Sequence, residues 1–232
     1  LVRDRSPALT SQGKSSVELM NLMGYDAMAL GSGDLAILGV DVIRQRMEQA
    51  RFPFLSANAI LTETGELLAE PYVLYRVEGH RIAVIGLTDE VLLLDAEIRD
   101  PLSSLREVLT QLDGQADIYV LLSHAGLETN QEIAKAAPEV DLIVSGGGQG
   151  YTPEALRFED GPPRIGSHRD NGQRSLVHAD MASPGHAGRR VGVGRWWFDD
   201  GGRLVALDWT SLALEPDIPD DPEMARWAAA NP

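Results

Sequence analysis

The sequence contains no cysteine, so disulfides, thiolate–metal sites, covalent haem attachment and thiol catalysis are excluded within its 232 residues. This absence does not fix a compartment. Cations are scarce. Against 35 Asp and Glu there are 20 Lys and Arg, for a formal net charge of −15. That balance argues against a nucleic-acid partner, whose phosphates reward clustered Lys and Arg, and against adsorption to an anionic membrane. The sequence has no apolar run of the ~18 residues needed to span a bilayer. Internal repeats, low-complexity tracts and a signal-peptide pattern are likewise not visible. The chain opens at Leu1 in a stretch, Leu1 to Gln12, that reads as a loop inside a longer protein, so upstream residues are expected.

What is present is ordinary for a globular fold: 44% hydrophobic and 24% charged residues. Ser15 and Glu18 form a capping-box pattern, and Val17, Met20 and Met23 recur at helical spacing until Gly24. Ala27 to Leu30 reads as a short buried strand ending in a Gly31-Ser32-Gly33 loop. Val40 to Ala50 reads as helix and Phe54 to Ala57 as strand. Tyr72 to Glu78 and Arg81 to Leu87 flank a Gly79-His80 turn and predict a hairpin. Asp100-Pro101 opens a helix that runs to about Leu112. Ile118 to Leu122 and Leu142 to Val144 are continuous apolar strands, separated by a helix over Leu127 to Ala137. After about residue 150 Pro and Gly become frequent. Arg174 to Met181, Arg190 to Phe198 and Arg203 to Leu214 predict an antiparallel meander with a tight turn at Asp199 to Gly202. Residues 215–232 read as an acidic, Pro-rich tail or linker with a short helix from Pro222, leaving 1–214 as one domain.

Strand–helix units giving way to antiparallel strands predict an α/β fold, a four-layer α/β/β/α sandwich. In open α/β sheets, function collects at the C-terminal ends of the strands. Three loops qualify: Gly31-Ser32-Gly33-Asp34, Ser123-His124-Ala125-Gly126, and Ser145 to Gly150. Their small residues permit close backbone approach.

These loops and their lead-ins resemble the 5'-nucleotidase-like (calcineurin-like) metallophosphoesterase family. Glu18 to Gly31 resembles the segment leading into the family's Gly-Asn-His-Glu motif. Phe52 to Asn58 resembles the next strand, and Arg81 to Leu87 the central strand. Leu121 to Gly126 resembles the Leu-Ser-His-x-Gly motif, and Asp141 to Gly146 the lead-in to Gly-Gly-His-x-His. The resemblance covers about residues 13 to 225. It implies the metallophosphoesterase-type sandwich, with its N-terminal strand or strands before Leu1.

The resemblance also implies two divalent metals (Mn, Zn, Fe or Mg) and a metal-bound hydroxide that splits phosphate esters. The metal motifs are degenerate here. Ser32 stands where the metal-bridging Asn belongs, Gly33 where the transition-state His belongs, and Asp34 in place of Glu. Gly147 and Gln149 stand at the paired His ligands, and a shift by one residue places Gly148 and Gly150 there instead. His124 matches a metal-ligand His and is retained. The family's Asp-x-His and Gly-Asp motifs would lie before Leu1. A divergent pseudoenzyme follows as the expectation. It would have no catalytic residue and no cofactor, and would act as a binding or structural subunit with protein partners in an extracytoplasmic, periplasmic or cell-surface assembly. The alternatives are an active metal-dependent phosphohydrolase completed by upstream residues, and a sensor for a small phosphate-containing ligand.

Each candidate also has a structural reading. His124 is either a residual metal or phosphate contact or a strand-end histidine satisfied by the backbone. Asp34 reads as a helix N-cap before a ligand. Gly146 to Gly148 reads as a permissive turn before an anion-binding nest. His168, with Arg169 and Asp170, falls at the rim of the site, where it could bind a polar ligand or form a solvated loop. His80 and His186 sit in turns without an assigned role. Trp196 and Trp197 point to opposite faces of a strand, one to the core and one to an interface. Met20, Met23 and Met28 read as core filling.

Overall fold

The computed structural model describes residues 7–146, 175–178, 190–202 and 204–231. A short helix, α1 (Pro7–Thr10), leads into α2 (Lys14–Met23). The expected capping box does not form. The N-cap is Gly13, and Ser15 lies inside the first turn, where its N–H donates to Ser11 Oγ at 3.2 Å. Gly24 closes the helix in the left-handed conformation, φ 72°, accepting no Cβ penalty. Met20 packs against the core, but Met23 at the helix end is exposed, so it is not core filling.

β1 (Met28–Ala29) pairs in parallel with β2 (Phe54–Leu55). Between them runs α3 (Ser32–Gln49), two helical pieces joined at Gly39, whose φ of 73° and ψ of 168° only glycine adopts readily. The expected helix from Val40 is its second piece, and the expected Gly31–Gly33 loop is in fact the start of its first. β3 (Ala59–Leu61) pairs antiparallel with β6 (Ala96–Ile98), a small sheet that the sequence pattern does not reveal.

The main sheet has five strands. β4 (Tyr72–Val77) and β5 (His80–Leu87) form the expected hairpin. Its Glu78-Gly79 turn has φ of 49° and 94°, the doubly positive pattern of a type I′ turn. β7 (Ile118–Ser123) and β8 (Leu142–Ser145) continue in parallel from β5. β9 (Ser175–His178) then pairs in parallel with β8. This corrects the expectation of an antiparallel meander for that segment. The strand order is β4-β5-β7-β8-β9.

Two helices cover one face of this sheet: α4 (Pro101–Gln111) and α5 (Leu127–Ala136). In α4, Leu105, Val108 and the following Leu112 recur at helical spacing and are buried against Ile85, Leu121 and Ile133. Each such side chain contributes about 1.5–3 kcal/mol relative to exposure. Asp100 caps α4, accepting from Ser103 N at 2.8 Å. A second core joins α2 and α3 to β1, β2 and β3 through Val17, Leu30, Leu35, Ile43 and Phe54. The layers therefore run α2–α3, the β1–β2 pair, the five-stranded sheet, and α4–α5, the expected four-layer sandwich. β2 can lie against β5 because position 86 is glycine. A Cβ there would fall 2.5 Å from the Leu55 backbone.

β10 (Arg190–Phe198) and β11 (Leu204–Ala213) form the predicted antiparallel hairpin. Gly192 and Gly194 leave room for indoles, since the Trp209 ring covers the first and Trp196 the second. Trp197 points the other way and is exposed, as the alternation predicts. His80 and Phe198 approach with ring centroids 6.5 Å apart, which ties the hairpin to β5. α6 (Pro222–Ala230) follows, with Asp221 as N-cap and no buried residue.

Candidate functional site

The parallel register brings four chain segments to one edge. Leu87 pairs with Ser123, and Ser123 with Ser145, so β5, β7 and β8 end level. The strand exits stay knitted past the last pairs: His124 N donates to Leu87 O at 2.9 Å, and Gly146 N to Ser123 O at 2.8 Å. The start of α3 arrives at the same place from β1. His124 lies beside Gly31 and Gly146 there, with Asp34 near it and Ser32 joined to it through Asp89.

Two buried polar networks hold these ends. Ser123 Oγ donates to Asn130 Oδ1 at 2.5 Å, and Asn130 Nδ2 donates to Ser145 Oγ at 2.8 Å. Asn130 on α5 thereby clamps β7 to β8 directly beneath His124. On the other side, Asn58 Oδ1 accepts from Thr88 N at 2.9 Å while its Nδ2 donates to Thr88 O at 2.8 Å. Thr88 Oγ1 reaches across to Leu30 O at 2.9 Å. Asn58, Thr88 and Asn130 are fully buried and satisfied, as buried polar groups must be.

Thr88 fixes the residue that sequence reasoning missed, Asp89. Its Oδ1 lies 2.6 Å from His124 Nδ1 and accepts the Ser32 N–H at 3.1 Å. One carboxylate therefore both orients the imidazole and caps α3, a role expected of Asp34. The actual N-cap is Gly31, and Asp34 sits in the first turn, where its charge suits the helix dipole. Asp34 is buried close enough to His124 to favour the imidazolium. A signal for Asp89 did exist: it lies two residues beyond the central strand, under the same strand-end rule that singled out His124.

The electrostatics follow from the contacts. The hydrogen bond to Asp89 raises the His124 pKa above its ordinary value. Burial opposes the rise, and the charges of Asp89 and Asp34 add to it. Burial would raise the Asp89 carboxyl, but its bonds to His124 and Ser32 outweigh that and lower it. The imidazole edge faces glycine. A Cβ at Gly31 would lie 3.1 Å from His124 Nε2, and one at Gly146 3.8 Å from Cδ2. By contrast, a Cβ at Gly33 would meet nothing within 4 Å.

Among the described residues the donor set does not make up a two-metal centre. Such a centre needs many convergent Asp, His and amide ligands. Among the described residues no three of His, Asp and Glu converge closely enough to hold a metal ion. His124 and Asp89 are engaged with each other, and Asp89 also with Ser32. The Nδ1 of His124 is thus paired with a side chain, beside a backbone hydrogen bond. Gly147, Gln149, His168 and His186 lie outside the described residues. His80 belongs to the opposite, N-terminal end of β5.

No family model matches the chain. Comparison with curated proteins finds Protein UshA of Escherichia coli, 33% identical over 161 residues, covering 61% of this chain and 29% of UshA. Among solved structures, the 5'-nucleotidase precursor of Thermus thermophilus superposes with a TM-score of 0.78 at 23% identity, over 97% of this chain and 46% of that one. The sulfate thiohydrolase SoxB of Thermus thermophilus gives the same TM-score, 0.78, at 20% identity, over 97% and 40%. Other sequence matches are named 5'-nucleotidase or metallophosphoesterase. Fold and sequence matches together define a metallophosphoesterase-like domain. The chain belongs to the 5'-nucleotidase-like metallophosphoesterase family. It spans less than a third of the length of the first curated relatives it matches, UshA and the Vibrio cholerae 5'-nucleotidase among them. No helix among the described residues is long and apolar enough to cross a membrane.

Proposed function

We propose that this metallophosphoesterase-like domain does not carry out two-metal ester hydrolysis and serves as a binding or structural unit of an extracytoplasmic assembly. The observation that carries this reading is the donor set around His124: among the described residues no three His, Asp or Glu side chains converge closely enough to hold a metal ion. At the retained ligand position Asp89 orients the imidazole through Nδ1, Gly31 and Gly146 lie against the ring, and Asp34 is a further carboxylate near it. Losing a two-metal clamp removes several kcal/mol of transition-state stabilisation, enough to end useful turnover. The extracytoplasmic placement rests on the family resemblance alone.

A second reading, an active phosphohydrolase, draws support from the intact scaffold. The Asn58–Thr88 and Ser123–Asn130–Ser145 networks still hold the strand ends level beneath the pocket. In that reading the missing ligands come from elsewhere in a longer polypeptide. A generic phosphate-ester assay on the full-length protein, run in turn with Mn, Zn, Fe and Mg, separates the two. Background rates with every metal support the first reading, and sustained metal-dependent turnover overturns it.

A further inference from the structure

The loop between β5 and β6 presents an arrangement that the pocket does not use. Its Val91, Leu92, Leu93 and Leu94 alternate sharply. Val91 and Leu93 pack on the core under α2 and α3, whereas Leu92 and Leu94 are 95% and 94% exposed. The loop is pinned at its end: Thr62 N donates to Asp95 O at 3.1 Å, and Leu61 pairs with Ala96. The two leucines are therefore held outward by a fixed backbone. Leu94 also borders an open groove of about 520 Å³ between α3 and the β3 turn. Val40 and Leu61 give the groove apolar surface, and Asp41, Glu63 and Asp95 line it against a single guanidinium, Arg44. No ion pair among the described residues ties up those three carboxylates.

We propose that the Leu92–Leu94 loop and this groove form a docking surface for a segment of another protein that carries Lys or Arg beside apolar anchors. Charge selects the occupant. Three carboxylates against one cation attract a basic segment, and two outward leucines reward apolar side chains set among those charges. A second copy of this chain, itself at −15, and an anionic membrane are both repelled. The proposal holds whether or not the His124 pocket turns over an ester.

The test uses the full-length protein and two labelled amphipathic peptides of equal length, one built of Leu and Lys, the other of Leu and Glu. Fluorescence anisotropy should show binding of the Leu–Lys peptide, weakening as salt rises, and none of the Leu–Glu peptide. L92S/L94S removes only exposed side chains, so its Tm should match the wild type while its affinity falls at least about 10-fold. E63Q/D95N should weaken binding and flatten the salt dependence. Equal binding of both peptides overturns the proposal, as do wild-type affinity in L92S/L94S and no binding of the Leu–Lys peptide up to about 1 mM. So does a wild-type dimer that L92S/L94S dissolves in sedimentation, because the occupant is then a second copy. Hydrogen-exchange protection of residues 90–95 without peptide overturns it too, because the polypeptide's own remainder then covers the loop.

Discussion

Asp89 holds His124: its Oδ1 stands 2.6 Å from the imidazole Nδ1, at the point where β5 and β7 end side by side. Both side chains are about 30% exposed, 27% for His124 and 33% for Asp89, so solvent screens part of the attraction. A double-mutant cycle with D89A and H124A should give a coupling of roughly 1 kcal/mol, less than a charge-assisted bond gives in full burial. Denaturant midpoints of the four proteins measure it. A coupling indistinguishable from zero would mean that the contact does not order the site.

The clamp beneath that pair carries more. Asn130 is fully buried, bonded to Ser123 and Ser145. N130A takes the amide partner from two buried hydroxyls, leaving Ser123 Oγ only the Ala125 N–H, and opens a small void. A loss of about 2–4 kcal/mol is expected in urea unfolding.

Restoring the family residues at the pocket should be tolerated but insufficient. A side chain at Gly33 projects into open space on the first turn of α3, so S32N/G33H should fold with a Tm at or above the wild type. Phosphate-ester turnover with Mn should stay at background, because the two added groups do not complete a dinuclear ligand set.

A pH dependence arises away from the pocket. Asp117 takes Arg81 as a two-pronged partner, at 2.6 Å to Nη2 and 3.1 Å to Nε. The hydrogen bond to Arg81 lowers the Asp117 pKa from 3.8 to about 2. A depressed carboxyl stabilises fully above its unfolded value of 3.8, and that contribution is lost as pH falls through about 2. Wild type should exceed D117N in urea midpoint at pH 5–7, and the gap should close between pH 3.8 and about 2.

Much of this architecture is legible in the sequence because its signals are local. The apolar runs at Ile118 to Leu122 and Leu142 to Val144, the Asp100-Pro101 start and the Gly24 stop each specify an element by themselves. The level strand ends then place His124 beside Gly31 and Gly146. What escapes is set by distant contacts. Asp89 gains its role only because Thr88 is anchored 30 residues away on Asn58. The β3–β6 pair is too short to show a period, and β9 is parallel because of what it meets, not because of its own alternation. The helix expected from Val40 misses the first piece of α3, which ends at Gly39, where the chain turns to a positive φ.

The central claim is that the pocket no longer holds the family's metal pair. Metal content of the full-length protein, purified and then equilibrated with Mn or Zn, tests it most directly when counted per chain by mass spectrometry after gel filtration. Fewer than two metals per chain, with D89A and H124A leaving the count unchanged, is the expected result. Two tightly held metals per chain, lost in H124A, would contradict the account.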